Sequence, residues 1–410
     1  MANERSALKV ISKGGVYVKK IISVLLVALM LAVSTNIVMA ADGTLDIEKV
    51  AIQSISNSQP VQAMNKQVTL AHKNYVDIKG MMNGSKGSLR YSNSYETVEA
   101  IILQPLRLEN VLTQVTNGQL VLTNAVRLTS YKAYISLLKA NYALNIQEGL
   151  MNGLDADYRK SKLEQNLGLV SQSQLRLSEI AYLKSQLRYD NARKSYNSAS
   201  MTVNNMMGED ISKQYSTLQD YNITPAVEIQ PLNGYVNQAL ASRADIINAQ
   251  GTLDTLKKSY EYSKAETPTD YQFFIQQQEY AIDSAQIDLE LAKVNVQLDI
   301  TKLYKDLESV MKNLEAVKYL NDQAVLNYQA AEIKYKSSQI SLTEFDDAKV
   351  AKAQADINYK NAQLDAWLMQ TTMNSACGIG YVPLSMSFSS QPKSKNKPNP
   401  NPYNGKNRAD

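Results

Sequence analysis

The chain has 410 residues, of which 20% are charged, and a net charge of +4, too mild a basic excess for nucleic acid to be its main partner. Its single cysteine, Cys377, and single histidine, His72, exclude an intrachain disulfide, a cysteine zinc cage and a His-rich metal centre. Phe, Trp and Pro are sparse while Ala, Leu, Gln, Asn, Lys and Tyr abound, a balance that favours helix over sheet.

From the N-terminus, Lys19-Lys20 precede an apolar run from Ile21 to Val33, and Val38-Met39-Ala40 places small residues at a cleavage site. This predicts an export signal over residues 1–40 rather than a membrane span of about 20 residues. Lys13-Gly14-Gly15 can be encoded as a ribosome-binding sequence, which offers Val18 as an alternative start.

Leu45 to Lys79 carries helical spacing up to Gly80, and Asn83 to Ser88 reads as a turn. Pro105, acceptable in a first turn, opens a long helical pattern to about Asn166. Sixty residues of helix would span roughly 90 Å. Gly168 is a C-cap candidate, and Ser171-Gln172-Ser173-Gln174 is a capping box that starts a return helix to Gly208. Residues 209–231, with Pro225 and Pro231, read as a linker.

The pattern then recurs. Leu232 to about Ala265 matches the first helix at an offset of 185, and the segment from about Asp270 to Gly378 matches the later part at an offset of 170. Tyr134 falls on Tyr304, Tyr158 on Tyr328, Ser171 on Ser341 and Tyr189 on Tyr359. Such a repeat predicts two units, 41–208 and 232–378, built to pack beside each other. On the last helix Ala348, Ala355, Ala362, Met369 and Ala376 recur every seven residues beside Phe345, Tyr359, Ala366 and Met373. Ser185, Ala192, Ala199 and Met206 repeat that line in the first copy. The expected fold is all-α: duplicated long antiparallel hairpins with coiled-coil packing and little or no β. Residues 379–410 are basic and Pro-rich and are expected to form a disordered tail.

Several of these residues together resemble the outer-membrane efflux (TolC) family. They are Ala239 through Arg243-Ala244-Asp245-Ile246, the turn Gly168-Leu169-Val170-Ser171, and the turn Tyr335-Lys336-Ser337-Ser338-Gln339-Ile340-Ser341-Leu342. The resemblance covers about residues 45–378. It implies a homotrimer forming a twelve-helix hollow cylinder, capped on one side by a barrel with four strands per chain. It further implies that the turns Gly168–Ser171 and Gln339–Leu342 are tips that dock an adaptor protein coupled to an ABC or other inner-membrane exporter. Each half would owe the barrel a hairpin of strands of about 9–11 residues. Ser88 to Tyr95 is polar on both faces and Lys264 to Asp270 offers almost nothing, so the residues predict that the barrel is missing.

Glu344 and Asp347 lie three apart and share one helix face. By resemblance they match acids that line the pore constriction, where three copies would favour cations and attract divalent or polycationic blockers. The alternative is that both, with Asp346, complement the positive helix N-terminus. Gln174 stands at the equivalent place in the first tip, and Ile340 where some family members carry a locking arginine. His72 is expected on a solvated face and Cys377 as a packing residue. The tyrosines at 158, 182, 189, 196, 328, 335 and 359 are expected to fill helix grooves. No phosphate loop, Ser/His/Asp set, metal box or nucleotide fingerprint appears, so no enzymatic activity or cofactor is expected. The expected function is a non-enzymatic, exported envelope conduit for efflux; the alternative is a monomeric helical scaffold without a pore.

Overall fold

The computed structural model describes residues 43–87, 95–265 and 271–382. Residues 1–42, which include the expected export signal, residues 88–94 and 266–270 of the two junctions, and the residues beyond Val382 lie outside the described residues, and the expectations placed on them stand as such.

Strand β1 (Thr44–Leu45) leads into α1 (Ile47–Asn57). Asp46 caps α1 by accepting from the Lys49 N–H at 2.9 Å. Ile47, Val50, Ala51 and Ser54 are its buried stripe, at 3–4 residue spacing. Ser58 ends α1 and caps α2 (Gln59–Ser85), with Pro60 in the first turn where no N–H is needed. A short helix, α3 (Tyr95–Val98), and a π-turn over Glu99–Leu103 follow. In that turn the Gln104 N–H reaches the Glu99 carbonyl. Pro105 has no N–H to continue the normal ladder, so one extra residue is accommodated there.

Two helices dominate. α4 (Gln104–Asn166) has 63 residues and α8 (Tyr271–Lys336) has 66, lengths of about 95–100 Å at 1.5 Å per residue. Each turns back into a 36-residue helix, α5 (Gln172–Met207) or α9 (Leu342–Cys377). Between the hairpins stand β2 (Thr217–Leu218), α6 (Leu232–Ser242) and α7 (Ala244–Ala265). The fold is therefore all-α with TolC-like hairpins, and its two described strands pair in parallel, Thr44 with Thr217 and Leu45 with Leu218.

Towards the hairpin tips the helices pack side by side in the order α5–α4–α9–α8, and in the other half α2 lies on α4 while α7 bridges α4 and α8. The two main cores meet between these halves. Tyr134, fully buried, anchors the first: its hydroxyl is shared between the Leu45 and Gln219 carbonyls at 2.8 Å each. Leu289, Val296, Ile300 and Leu307 of α8 pack with Met373, Ala376 and Cys377 of α9 in the second. The seven-residue seam turns inward only in part: Ala362 and Ala376 are buried with the flanking Phe345, Ala366 and Met373, while Ala348, Ala355 and Met369 are half-buried. Cys377 is fully buried, and burial pushes its thiol up to about 11.

Three local expectations differ from the structure. Helix α2 does not stop at Gly80 but continues through Gly84 to Ser85. Both glycines have open space around them, and each costs only about 1 kcal/mol in an exposed helix. The pattern from Leu232 to Ala265 is two helices broken at Arg243, whose backbone is extended. Residues 209–231 are more than a linker, because Thr217–Leu218 completes the small sheet.

Candidate functional site at the hairpin tips

At the first tip Gly168 adopts φ +74° and the chain closes with Leu169 N–H on the Glu164 carbonyl at 2.8 Å. Ser171 and Gln174 then exchange hydrogen bonds, Gln174 N–H to Ser171 Oγ at 3.2 Å and Ser171 N–H to Gln174 Oε1 at 2.9 Å. The second tip repeats this geometry with other residues. Ser338 takes the left-handed position at φ +57°, and Gln339 N–H reaches the Lys334 carbonyl at 2.8 Å. Leu167 and Leu169 leave the first tip 74% and 71% exposed, whereas Ser337 and Gln339 make the second tip polar. The two tips thus present different chemistry on the same backbone.

Glu344 closes the second capping box: its Oε2 accepts from Ser341 N–H and Ser341 Oγ, both at 2.8 Å. The Ser341 N–H and then its hydroxyl hold this carboxyl below the usual range. Asp347 is exposed one turn along. Both acids face solvent at the tip, and the structure brings them to one end of α9.

Asp346 behaves otherwise. It is 4% exposed and does not serve the helix N-terminus. Its Oδ1 accepts from Lys349 Nζ at 3.1 Å, and Lys349 is also paired with Asp157 on α4. Lys349 further lies 4.3 Å over the Phe345 ring, which stacks on Tyr335 at 4.9 Å and Tyr328 at 5.9 Å. Burial pushes the Asp346 carboxyl up to about 6 against the pull of Lys349, and Asp157 adds to the rise. Burial works against the Lys349 charge, yet Asp157 and Asp346 hold its ammonium above the ordinary value. The spacing of Asp346 and Lys349 was visible in the sequence as an (i, i+3) pair. Their partner Asp157 was not, because it arrives from another helix.

His72 is exposed on α2. Tyr158 stacks on Tyr182 at 5.9 Å between α4 and α5. The furrow on α5 lined by Asp190, Arg193, Lys194 and Met201 is open to solvent. Among the described residues no three His, Cys, Asp or Glu side chains are placed to hold a metal, and no helix is long and apolar enough to cross a membrane.

No family model and no curated protein matches this sequence. Solved structures do match its fold. A crystal structure of CusC, described in terms of transmembrane channel formation, has a TM-score of 0.58 at 12% identity, covering 82% of this chain and 92% of that one. The CmeC outer membrane channel of Campylobacter jejuni scores 0.53 at 12% identity over 83% and 87%. The outer membrane protein VceC of Vibrio cholerae scores 0.53 at 11% identity over 82% and 97%. At these identities the likeness is one of fold, and it agrees with the resemblance carried by the tip and Ala239–Ile246 motifs.

Proposed function

We propose, for a chain with the fold of the TolC-family outer-membrane channels, that three copies close into a helical conduit serving an envelope export system, with no chemistry of its own. The observation that carries this reading is the open-ended wall α5–α4–α9–α8. Its outer helices both leave apolar residues uncovered at coiled-coil spacing. On α8, Leu291, Leu298, Tyr319, Leu326 and Ile333 fall on one seven-residue register and are 54–68% exposed. On α5, Ile180, Leu187 and Met201 share another and are 42–62% exposed. A second copy laying its α5 edge on this α8 edge buries both stripes. Such a head-to-tail contact closes a ring when its rotation fits.

In that ring the tips Gly168–Ser171 and Gln339–Leu342 would meet an adaptor, with the exposed Leu167 and Leu169 as its apolar contacts. Glu344 and Asp347 would form acidic levels at the constriction. An exported protein of the cell envelope, energised by a separate pump, fits these features. Molar mass by light scattering on residues 41–410, without detergent, tests the assembly. Three times the chain mass is expected; a clean monomer would instead favour an envelope scaffold without a pore.

A further inference from the structure

The seam between the two hairpins of one chain, α4 against α9, changes character along its length. Nearer the middle it holds Lys139 paired with Asp365 at 2.5 Å and Tyr131 against Trp367 at 5.8 Å. Towards the tips its apolar part narrows to Leu150, Leu154 and Ala353. The next residues on the seam are Asp157 of α4 and Asp346 and Lys349 of α9, their side chains 21%, 6% and 18% exposed. Two carboxylates therefore share one ammonium in a largely dry contact, with Lys160 of α4 over the Tyr335 ring of α8 beside it at 5.8 Å.

We propose that Asp157, Asp346 and Lys349 form a latch between the hairpins that tightens on taking up one proton and loosens on losing it. With both acids ionised the contact buries an excess negative charge, which a low-dielectric seam disfavours. With Asp346 protonated, Lys349 and Asp157 remain as a balanced pair and the protonated carboxyl still hydrogen-bonds. The groups facing Asp346 fix the direction. Lys349 on its own helix favours ionisation, whereas burial and Asp157 on α4 oppose it; the α8 rings of Tyr328 and Tyr335 at this end of the seam stack on Phe345, and Lys160 lies over Tyr335. The proton is consequently bound more tightly in the closed seam than in a parted one, where the carboxyl returns towards 3.8. Closure is favoured fully below that value, and the advantage is lost as pH rises through about 6. The latch acts within one chain, so it stands whether the protein is a monomer or a ring.

The test places spin labels at Asn166→Cys and Thr343→Cys, both exposed tip positions, in full-length protein with Cys377→Ala, diluted with unlabelled chain. Distances are read at about pH 5 and about pH 7.5, where linkage predicts a roughly tenfold rise in the ratio of parted to closed tips. Asp346→Asn, a mimic of the protonated state, is expected to stay closed at both pH values. Lys349→Met, which removes the shared cation, is expected to stay parted at both. An unchanged distance distribution in the parent across this range overturns the proposal. So does an Asp346→Asn variant of unaltered helicity that responds to pH as the parent does.

Discussion

Ser338 holds at the second hairpin tip the left-handed turn that Gly168 holds at the first, at φ +57° and +74°. A Cβ in that region costs roughly 1–2 kcal/mol, which glycine avoids. The second tip therefore carries a strain that the first does not. Ser338→Gly is expected to stabilise the chain by about 0.5–1 kcal/mol, and Gly168→Ala to destabilise it by about 1 kcal/mol. Denaturant unfolding of the two variants checks both signs.

Arg243 stands in the second repeat where Ser58 stands in the first, at the extended residue between paired helices, but it donates where the Ser58 hydroxyl accepts the Val61 N–H. Its guanidinium donates to Asp245 at 2.6 and 3.2 Å, reaches Asp299 at 3.6 Å and meets the Ala376 carbonyl at 3.5 Å. One buried side chain thus ties α7, α8 and the end of α9. Arg243→Ala should cost about 2–4 kcal/mol, and Arg243→Lys about half of that because a point charge cannot serve three directions. Chemical denaturation of both variants, read against the parent, measures the difference.

The duplication, the long helices and their caps were legible in the sequence because each rests on local chemistry. Ser171 with Gln174, and Ser341 with Glu344, are boxes written in four consecutive residues. The break at Arg243 was hidden, since Arg is a good helix former and the break is fixed by distant acids and the Ala376 carbonyl. The strand at Thr217–Leu218 was hidden for the same reason: its partner lies at Thr44–Leu45. At the tips the exposed acids could be picked out by position, but the burial of Asp346 beside Lys349 involves Asp157, which arrives from the other hairpin. Motif resemblance pointed to Glu344 and Asp347, and passed over the neighbour that is packed.

Buried and half-buried tyrosines near the middle of the molecule, Tyr131, Tyr134 and Tyr142 among them, are expected to weaken the fold in alkali. Burial, and then Glu48, push the Tyr131 hydroxyl up. Burial raises Tyr134, and burial followed by Asp220 takes Tyr142 to about 12. These groups hold their protons more tightly when folded. Their contribution is complete below the ordinary tyrosine value of 10.0 and is lost as pH rises through about 12. The melting temperature should stay level into mild alkali and fall beyond it. Tyr134→Phe should flatten part of that fall while costing about 1–2 kcal/mol at neutral pH, because the Leu45 and Gln219 carbonyls lose their donor.

The uncovered α8 register allows a sharp test of assembly. Leu326 and Ile333 are 59% and 68% exposed, so replacing both by Glu should leave the single chain as stable as before, within about 0.5 kcal/mol. In a ring each glutamate would be pressed into an apolar contact. Leu326→Glu/Ile333→Glu is expected to sediment as a monomer with parental helicity. A variant that still assembles would place the contact elsewhere.

The acids of the second tip can be neutralised without dismantling it. Gln174 already fills the Glu344 role in the first capping box, accepting the Ser171 N–H at 2.9 Å. Glu344→Gln should therefore preserve the α9 cap, and exposed Asp347→Asn should leave packing untouched. If three copies stack these side chains around a constriction, the double variant removes six negative charges from a narrow path. Its conductance in a reconstituted assembly should lose block by hexamminecobalt while the melting temperature stays at the parental value. Equal block in parent and variant would assign both acids to the helix terminus alone, where Glu344 already accepts two hydrogen bonds from Ser341.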